Sequence, residues 1–221
     1  MSKNANLSKA PKKRIAEAAY DAIENLIATL ALEPNQPIVE SELVSITGFG
    51  RTPVREALMQ LIANGLIEQQ PRRGMRVSEI RIAEHLVLIE TRRVLERLIA
   101  RASARRATQS QKEALLEFAQ EMVKSADEQD LAGYMNADQS LDRINHQACR
   151  NPYAVSAVVP MIVQCRRFWY AFQHDGDMNR GAAAHLTLAR GIYDGDAALA
   201  SEGADALMDY LAEFTHKVIE V

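Results

Sequence analysis

Hydrophobic positions repeat with a helical period over most of the chain. The clearest case is the segment 51–64, whose apolar side chains form a stripe at every third or fourth position: Val54, Ala57, Leu58, Leu61 and Ile62. Such a stripe is typical of an amphipathic helix with one buried face. Pro53 fits the first turn of this helix, and Asn64-Gly65 fits its end. The pattern predicts a helix over 51–64, preceded by helices over 12–30 and 40–46.

The period changes after this helix. Residues 66–70 and 75–78 alternate in the way strands do, around a turn at 71–74. Three helices and a hairpin within so short a segment predict a winged helix-turn-helix over 12–79. The first eleven residues are polar and Lys-rich without periodicity, so we expect a flexible basic arm over 1–11.

From residue 80 the pattern is helical again, which predicts a separate all-α domain over 80–221. Its helices are expected at 82–107, 110–127, 130–149, 152–173, 180–194 and 197–219. The longest apolar stretch, Val155 to Val163, falls far short of the ~20 residues that a membrane span needs. The predicted fold class is mainly α, with an N-terminal winged helix-turn-helix and a C-terminal all-α bundle of six helices.

Composition and charge narrow the function. The chain is 48% hydrophobic and 25% charged, which is typical of a globular protein. Cys149 and Cys165 form neither a disulfide framework nor a CxxC metal site, and no secretory signal is present, so we expect a cytoplasmic protein. Residues 1–78 carry 10 Lys+Arg and 8 Asp+Glu, whereas residues 79–221 carry 16 and 21. This basic N-terminal region indicates a polyanionic partner.

The exposed side of the 51–64 helix is a candidate DNA-reading face. Arg51 and Arg55 are four residues apart and share one face near its N-terminus, and Arg72 and Arg73 lie at the hairpin tip. Two arginines on a helix are by themselves more often an ordinary solvated face. The second pair at the hairpin tip favours the interpretation that one DNA duplex contacts both features.

A family resemblance rests on these same residues. The run Gly50-Arg51-Thr52-Pro53-Val54-Arg55-Glu56-Ala57-Leu58, with Asn64-Gly65-Leu66-Ile67 and Arg73-Gly74-Met75-Arg76-Val77 after it, resembles the winged helix of GntR-type bacterial transcription regulators. The resemblance implies DNA contacts from Arg51, Thr52, Pro53, Arg55, Arg73 and Gly74. Gly50 departs from the Ser or Thr usual in the family; it is an acceptable N-cap but offers no hydroxyl to a phosphate.

Polar residues interrupt the apolar stripes of three predicted helices in the second domain. They are Arg92 on the first helix, Asp138 and Asp142 on the third, and His185 on the fifth. Because unpaired buried charges are costly, these four side chains predict a polar interior site. The alternatives are a structural ion pair of Arg92 with Asp138 or Glu96, and a hydrogen-bonded core histidine at His185.

The second domain resembles the FCD effector domain of the FadR subfamily. The resemblance rests on Glu90-x-Arg92-x-x-Leu95-Glu96, Ala107-Thr108, Asp138, Asn151-Pro152, His185 and Gly195-Asp196-Ala197. It implies a divalent metal held by Asp138, Asp142 and His185, with Asp142 at one usual His position and Leu207 at another. A second register takes the pair Asp142 and His146. Zn, Mn or Mg are the candidate ions.

These features together predict a DNA-binding transcriptional regulator that is not an enzyme. We expect a homodimer that reads a palindromic double-stranded operator, controlled by a small carboxylate effector bound at Arg92, Asp138, Asp142 and His185, with no membrane partner. One alternative is a metal-dependent hydrolase that uses the Asp and His residues of the helical domain. Another is an adaptor whose winged helix binds a protein. The arginines at the helix start and the hairpin tip disfavour the adaptor, and no nucleophile motif supports the hydrolase.

Overall fold

The structure is a computed structural model that describes residues 12–173 and 177–220. The predicted arm over 1–11 lies outside these residues. The chain divides into two compact units, one of residues 1–80 with 166–171 and one of residues 81–165 with 172–221. No helix among the described residues is long and apolar enough to cross a membrane.

The first unit has the predicted winged helix-turn-helix. Its elements are α1 (Lys12–Ala28), β1 (Pro37–Ile38), α2 (Glu40–Thr47), α3 (Arg51–Ala63), β2 (Ile67–Gln70) and β3 (Gly74–Val77). The two-residue strand β1 was not predicted, since it is too short to show a period. It pairs antiparallel with β3, as β2 does, which gives the strand order β1-β3-β2.

The core of this unit lies between α1 and α3. The predicted stripe of α3 is buried at Val54, Ala57, Leu58 and Leu61, whereas Ile62 is half-buried. It packs against α1, whose own buried apolar residues are Ala19, Ile23, Ile27 and Ala28. Residues 166–171 complete the unit, and the buried Arg167 donates to the hydroxyl of Ser78 at 3.0 Å.

Six further helices make up most of the remaining described chain, as the sequence predicts. They are α4 (Ile82–Arg106), α5 (Gln109–Asp127), α6 (Leu131–Cys149), α7 (Pro152–Phe172), α8 (Asp177–Asp194) and α9 (Ala197–Ile219). Helix α8 begins at Asp177, before the predicted 180, so the expected loop over 174–179 was too long at its C-terminal end. Residues 174–176 lie outside the described part. Helix α7 continues through Pro160.

Side-chain caps and close packing explain this arrangement. Thr108 and Gln111 form a capping box at the start of α5, while Asp130 and Asp196 cap α6 and α9. Helix α4 packs on α6 and α9, α5 on α6 and α8, and α8 on α9. A methyl group at Gly203 would collide with the backbone of Leu188, so glycine is required where α9 crosses α8.

Candidate nucleic-acid interface and effector site

Most residues at the N-terminal end of α3 are exposed. Gly50 is the N-cap, with φ −69 and ψ 166, and it provides no side-chain capping bond. Arg51, Thr52 and Arg55 are exposed and Pro53 is half-buried. Free backbone N–H groups and two arginines therefore occupy the same helix end, which is an arrangement that attracts phosphate.

The hairpin tip presents the second arginine pair. Gln70 pairs with Gly74 across β2 and β3, so the turn between them contains Pro71, Arg72 and Arg73. Arg72 has a φ of 64° and Gly74 a φ of +86°, and both arginines are exposed. A left-handed residue at each side of Arg73 makes the turn tight and holds the arginines at the tip of the wing.

Two other arginines of this unit are paired with carboxylates. The Arg55 Nε lies 2.7 Å from the Glu40 Oε2, and this bond raises the pKa of Arg55 above its usual value. Arg76 donates through Nε and Nη2 to Glu68 on the neighbouring strand, at 3.0 and 2.8 Å. The side chains of Arg51, Arg72 and Arg73 form no ion pair with any residue in the described part of the chain. Their positive charge remains available to a polyanion.

In the second unit Arg92 is buried and paired with Glu96. The Arg92 Nε lies 2.9 Å from the Glu96 Oε1, and both side chains are 6% exposed. Burial alone would lower the pKa of Arg92, but the carboxylates of Glu96 and Asp142, together with a hydrogen bond to Cys165, raise it above its usual value. Of the two partners that the sequence leaves open for Arg92, the structure places Glu96 against it.

His185 and Asp138 meet from different helices. The His185 Nδ1 lies 2.8 Å from the carbonyl oxygen of Gly181, and since a carbonyl only accepts, Nδ1 carries a proton. The His185 Nε2 faces the Asp138 Oδ1 at 3.3 Å. A lone pair on Nε2 would oppose the carboxylate, so either a proton or a cation belongs between these two atoms.

Sequence reasoning missed His85, which lies on the same stripe of α4 as Arg92. Its Nδ1 is 2.8 Å from the Thr215 hydroxyl, which itself donates to the carbonyl of Leu211, so the imidazole N–H donates to Thr215. Burial, together with the charge of Arg92, lowers the pKa of His85 to about 4. The signal was present, because His85, Ile89, Arg92, Glu96 and Ile99 are spaced as one helix face.

The donor atoms at Asp138 and His185 suit a divalent metal. Two ligand atoms about 2.1 Å from one ion at a tetrahedral angle lie about 3.4 Å apart, close to the observed separation. A ligating histidine usually donates its other ring N–H to a carbonyl or carboxylate, as Nδ1 does here. Asp142 occupies the next turn of α6, and its charge acts on Arg92. Among the described residues no three His, Cys, Asp or Glu side chains are grouped to hold a metal.

Two further positions enter the metal prediction: Leu207, at a usual His position, and His146, in the second register. Leu207 is buried and 7% exposed, and it offers no ligand atom. His146 lines a groove of about 430 Å³ together with Arg143, Gln147 and Arg150. That surface carries two cations and no carboxylate, which makes the His146 register a poorer cation site than the pair Asp138 and His185.

Family models match both parts of the chain. The model of the bacterial regulatory proteins of the gntR family matches residues 15–77, and the model of the FCD domain matches residues 87–210. The second match alone covers more than half of the chain. The first covers α1 to β3, and therefore the arginines of α3 and of the hairpin tip.

Curated proteins of similar sequence carry names of the same kind. The chain is 32% identical over 101 residues to the HTH-type transcriptional repressor RspR of Escherichia coli K12, which is 46% of this chain and 44% of that protein. It is 24% identical over 200 residues to a probable D-xylose utilization operon transcriptional repressor of Paenarthrobacter nicotinovorans, 90% of this chain and 87% of that one. The chain thus matches less than half the length of RspR.

Solved structures share the fold. The chain is similar to E. coli McbR/YncC, with a TM-score of 0.70 at 16% identity over 93% of this chain and 95% of that chain. It is also similar to a putative transcriptional regulator GntR from Rhodococcus sp. RHA1, with a TM-score of 0.63 at 20% identity over 95% and 99%. The matched family and relatives are transcriptional regulators and not enzymes, and none supports the hydrolase. The chain belongs to the GntR family of bacterial regulators, in the FadR-like group that carries an FCD domain.

Proposed function

We propose that the chain is a ligand-responsive transcription factor of the cytoplasm that binds double-stranded operator DNA. The observation that carries this proposal is the common exposure of Arg51 and Arg55 on α3 with Arg72 and Arg73 on the wing. Helix α3 enters the major groove of the DNA with its N-terminal end, where Thr52 and Pro53 approach the sugar-phosphate backbone. Arg72, Arg73 and Gly74 of the wing contact the adjacent groove or phosphates.

A salt titration of DNA binding tests this function. Duplexes selected by the protein from a random-sequence pool are expected to bind with an affinity that falls steeply as salt rises, because bound arginines displace counterions. Sequence-independent weak binding, or no binding at low salt, would contradict the proposal. A protein adaptor or a hydrolase has no reason to prefer one duplex over its scrambled version.

The proposed homodimer has a candidate face on α4. Val87, Val94 and Leu98 are 64%, 69% and 48% exposed, which is unusual for large apolar side chains of one helix. Together with Thr91, Arg101 and Arg105 they are spaced alternately by four and three residues, as in the seam of a coiled coil. A stripe of this kind packs well against a second copy of itself.

The charges within this stripe and beside it favour an antiparallel pair. Glu84 and Glu90 are exposed in the N-terminal half of α4, and Arg101 and Arg105 are exposed in its last turns. Two copies related by a two-fold axis near Val94 place the acidic half of one helix along the basic half of the other. Dimerisation supplies the second winged helix that a palindrome requires.

Cysteine cross-linking tests this dimer. With Val94→Cys, oxidation is expected to give a disulfide-linked dimer, since this position lies on the proposed axis; the native cysteines are buried. Val87→Cys is expected to give little disulfide-linked dimer, because in an antiparallel pair residue 87 faces the opposite end of the partner helix. Equal cross-linking of both variants would indicate a parallel pair, and a monomer by sedimentation would contradict the dimer.

The proposed effector is a small organic acid held between Arg92 and a divalent cation on Asp138, Asp142 and His185. Arg92 offers a fork that matches a carboxylate, but Glu96 already occupies its Nε edge. Because the carboxylates of Glu96 and Asp142 already act on Arg92, an acid without a cation would be repelled. The ion, Zn, Mn or Mg, would supply the second positive charge that anchors the ligand.

Metal analysis and thermal unfolding test the effector together. We expect carboxylic acids to raise the melting temperature with Mn²⁺ or Zn²⁺ present, to lose this effect with chelator, and to lose it in Asp138→Asn. Ligands that stabilise regardless of chelator and of Asp138→Asn would contradict the metal-assisted site. The effector can alter DNA binding only if it prefers one arrangement of the dimer, since equal affinity for both would shift nothing.

A further inference from the structure

Arg55, one of the two arginines on the proposed DNA-reading face of α3, is held by a carboxylate of the neighbouring helix. Glu40 stands in the first turn of α2, where the helix N-terminus favours a negative charge. Its Oε2 accepts from the Arg55 Nε at 2.7 Å. Arg55 keeps 68% of its side chain exposed and Glu40 keeps 26%. The pair therefore lies at the edge of the proposed DNA surface, with the arginine on the outer side.

The atoms used by this pair decide what Arg55 can do next. The guanidinium is a planar group with five N–H donors, and the bond to Glu40 occupies the one on Nε. The two terminal nitrogens, Nη1 and Nη2, carry the parallel N–H bonds that match guanine O6 and N7. Because Glu40 of α2 bonds to Nε, the opposite edge of the guanidinium, with Nη1 and Nη2, is directed away from α2 and can contact a base.

We propose that Glu40 is a positioning residue for Arg55, which fixes the guanidinium for base readout and weakens its attachment to phosphate. A free arginine samples many rotamers and binds any phosphate within reach. Paired with Glu40, it keeps the donors on Nη1 and Nη2 for DNA while its net charge is offset. This inference rests on the proposed function, because it requires Arg55 to contact DNA.

The proposal predicts opposite effects on specific and non-specific binding. Removing the carboxylate loosens Arg55, which weakens a bond that depends on its orientation. The same change removes a negative charge near DNA, which strengthens binding to any duplex. A residue that only stabilised the fold would change both affinities in the same direction.

The test measures the ratio of two affinities at fixed salt, for a duplex selected by the protein from a random-sequence pool and for a scrambled duplex of equal composition. The variants are Glu40→Ala, Glu40→Gln, Arg55→Ala and the double variant Glu40→Ala with Arg55→Ala. Glu42→Ala is the matched control, because Glu42 is exposed in the same helix turn. Circular dichroism confirms that each variant is folded.

We expect Glu40→Ala to lower the affinity ratio about two- to fivefold, as for the loss of one exposed ion pair, with affinity for the scrambled duplex unchanged or higher. Glu40→Gln should keep most of the ratio, since its amide oxygen still accepts from Nε. In the Arg55→Ala background Glu40→Ala should have no further effect on the ratio.

Three results would overturn the proposal. They are an equal change of both affinities in Glu40→Ala, the same loss of ratio in Glu42→Ala, and a full effect of Glu40→Ala without Arg55. If Arg55→Ala itself leaves the ratio unchanged, the base-reading role of Arg55 fails as well, and that failure is visible in a separate variant.

Discussion

The two units each contain an arginine bonded through Nε to a glutamate, in opposite surroundings. Arg55 and Glu40 are 2.7 Å apart with side chains 68% and 26% exposed, whereas Arg92 and Glu96 are 2.9 Å apart with both side chains 6% exposed. The geometry of the bond is nearly the same. The two pairs differ in how much of each side chain remains exposed to water.

The exposed arginine can keep a carboxylate partner and still contact another molecule, whereas a buried arginine requires its partner. Water screens the exposed pair, so the pair contributes little to stability, and the terminal nitrogens of Arg55 stay available to DNA. The buried pair has no water to replace a lost partner, and removal of one charge leaves the other uncompensated. The same pair of residues can therefore serve recognition in one unit and internal order in the other.

The largest expected effect comes from removing one partner of the buried pair. Glu96→Ala should lower the free energy of unfolding by about 3–5 kcal/mol, because Arg92 then lies buried without the carboxylate bonded to it. Glu40→Ala should leave the unfolding curve unchanged within error. Urea denaturation followed by circular dichroism measures both. Replacing the pair together, by Arg92→Met with Glu96→Leu, should recover much of the loss; a Glu96→Ala protein as stable as Glu40→Ala would contradict the comparison.

The next effect is acid sensitivity in the interior beside Arg92. Folded His85 stays neutral down to a pKa of about 4, whereas in the unfolded chain it takes up a proton below about 6.5. The unfolded state thus binds more protons in this window, so the free energy of unfolding falls as pH drops from 6.5 to 4, by about 3 kcal/mol at most. Urea denaturation at several pH values should show a shallower decline for His85→Gln. The exposed His216 is the control. The free energy of unfolding of His216→Gln should fall with pH as that of the wild type does.

The smallest effect compares two arginines of the exposed unit. Arg51 is exposed and forms no ion pair with a described residue, while Arg76 is paired across the strands with Glu68. Arg51→Ala should lower affinity for a selected duplex roughly ten- to a hundredfold with unchanged helical content. Arg76→Ala should lower it much less, because its charge is already offset. Titration by fluorescence anisotropy measures both, and equal losses would show that total charge alone determines binding.

The sequence indicated most helices because their patterns are local. The stripe of α3 buries Val54, Ala57 and Leu58 as its spacing predicts, and α9 spans the expected 197–219. Strand β1 was not predicted, since its two residues are too few to show a period and become a strand only by pairing with β3. The start of α8 at Asp177 was also missed, which is the usual uncertainty of a helix end without a clear cap.

For the candidate sites, the sequence by itself determined which side chains stand on an exposed or a buried face. Periodicity assigns Arg51 and Arg55 to the outside and Arg92 and His185 to the inside, and the motifs around them identify the family. Only the tertiary structure decided the partners: Glu96 for Arg92, Asp138 for His185, and Glu40 for Arg55. The physical reason is that burial follows from the repeat of apolar residues along one helix. The partners of His185 and Arg55 depend on how different helices pack. Glu96 lies one turn from Arg92 on the same helix, and what the sequence left open is which of the nearby carboxylates comes within bonding distance.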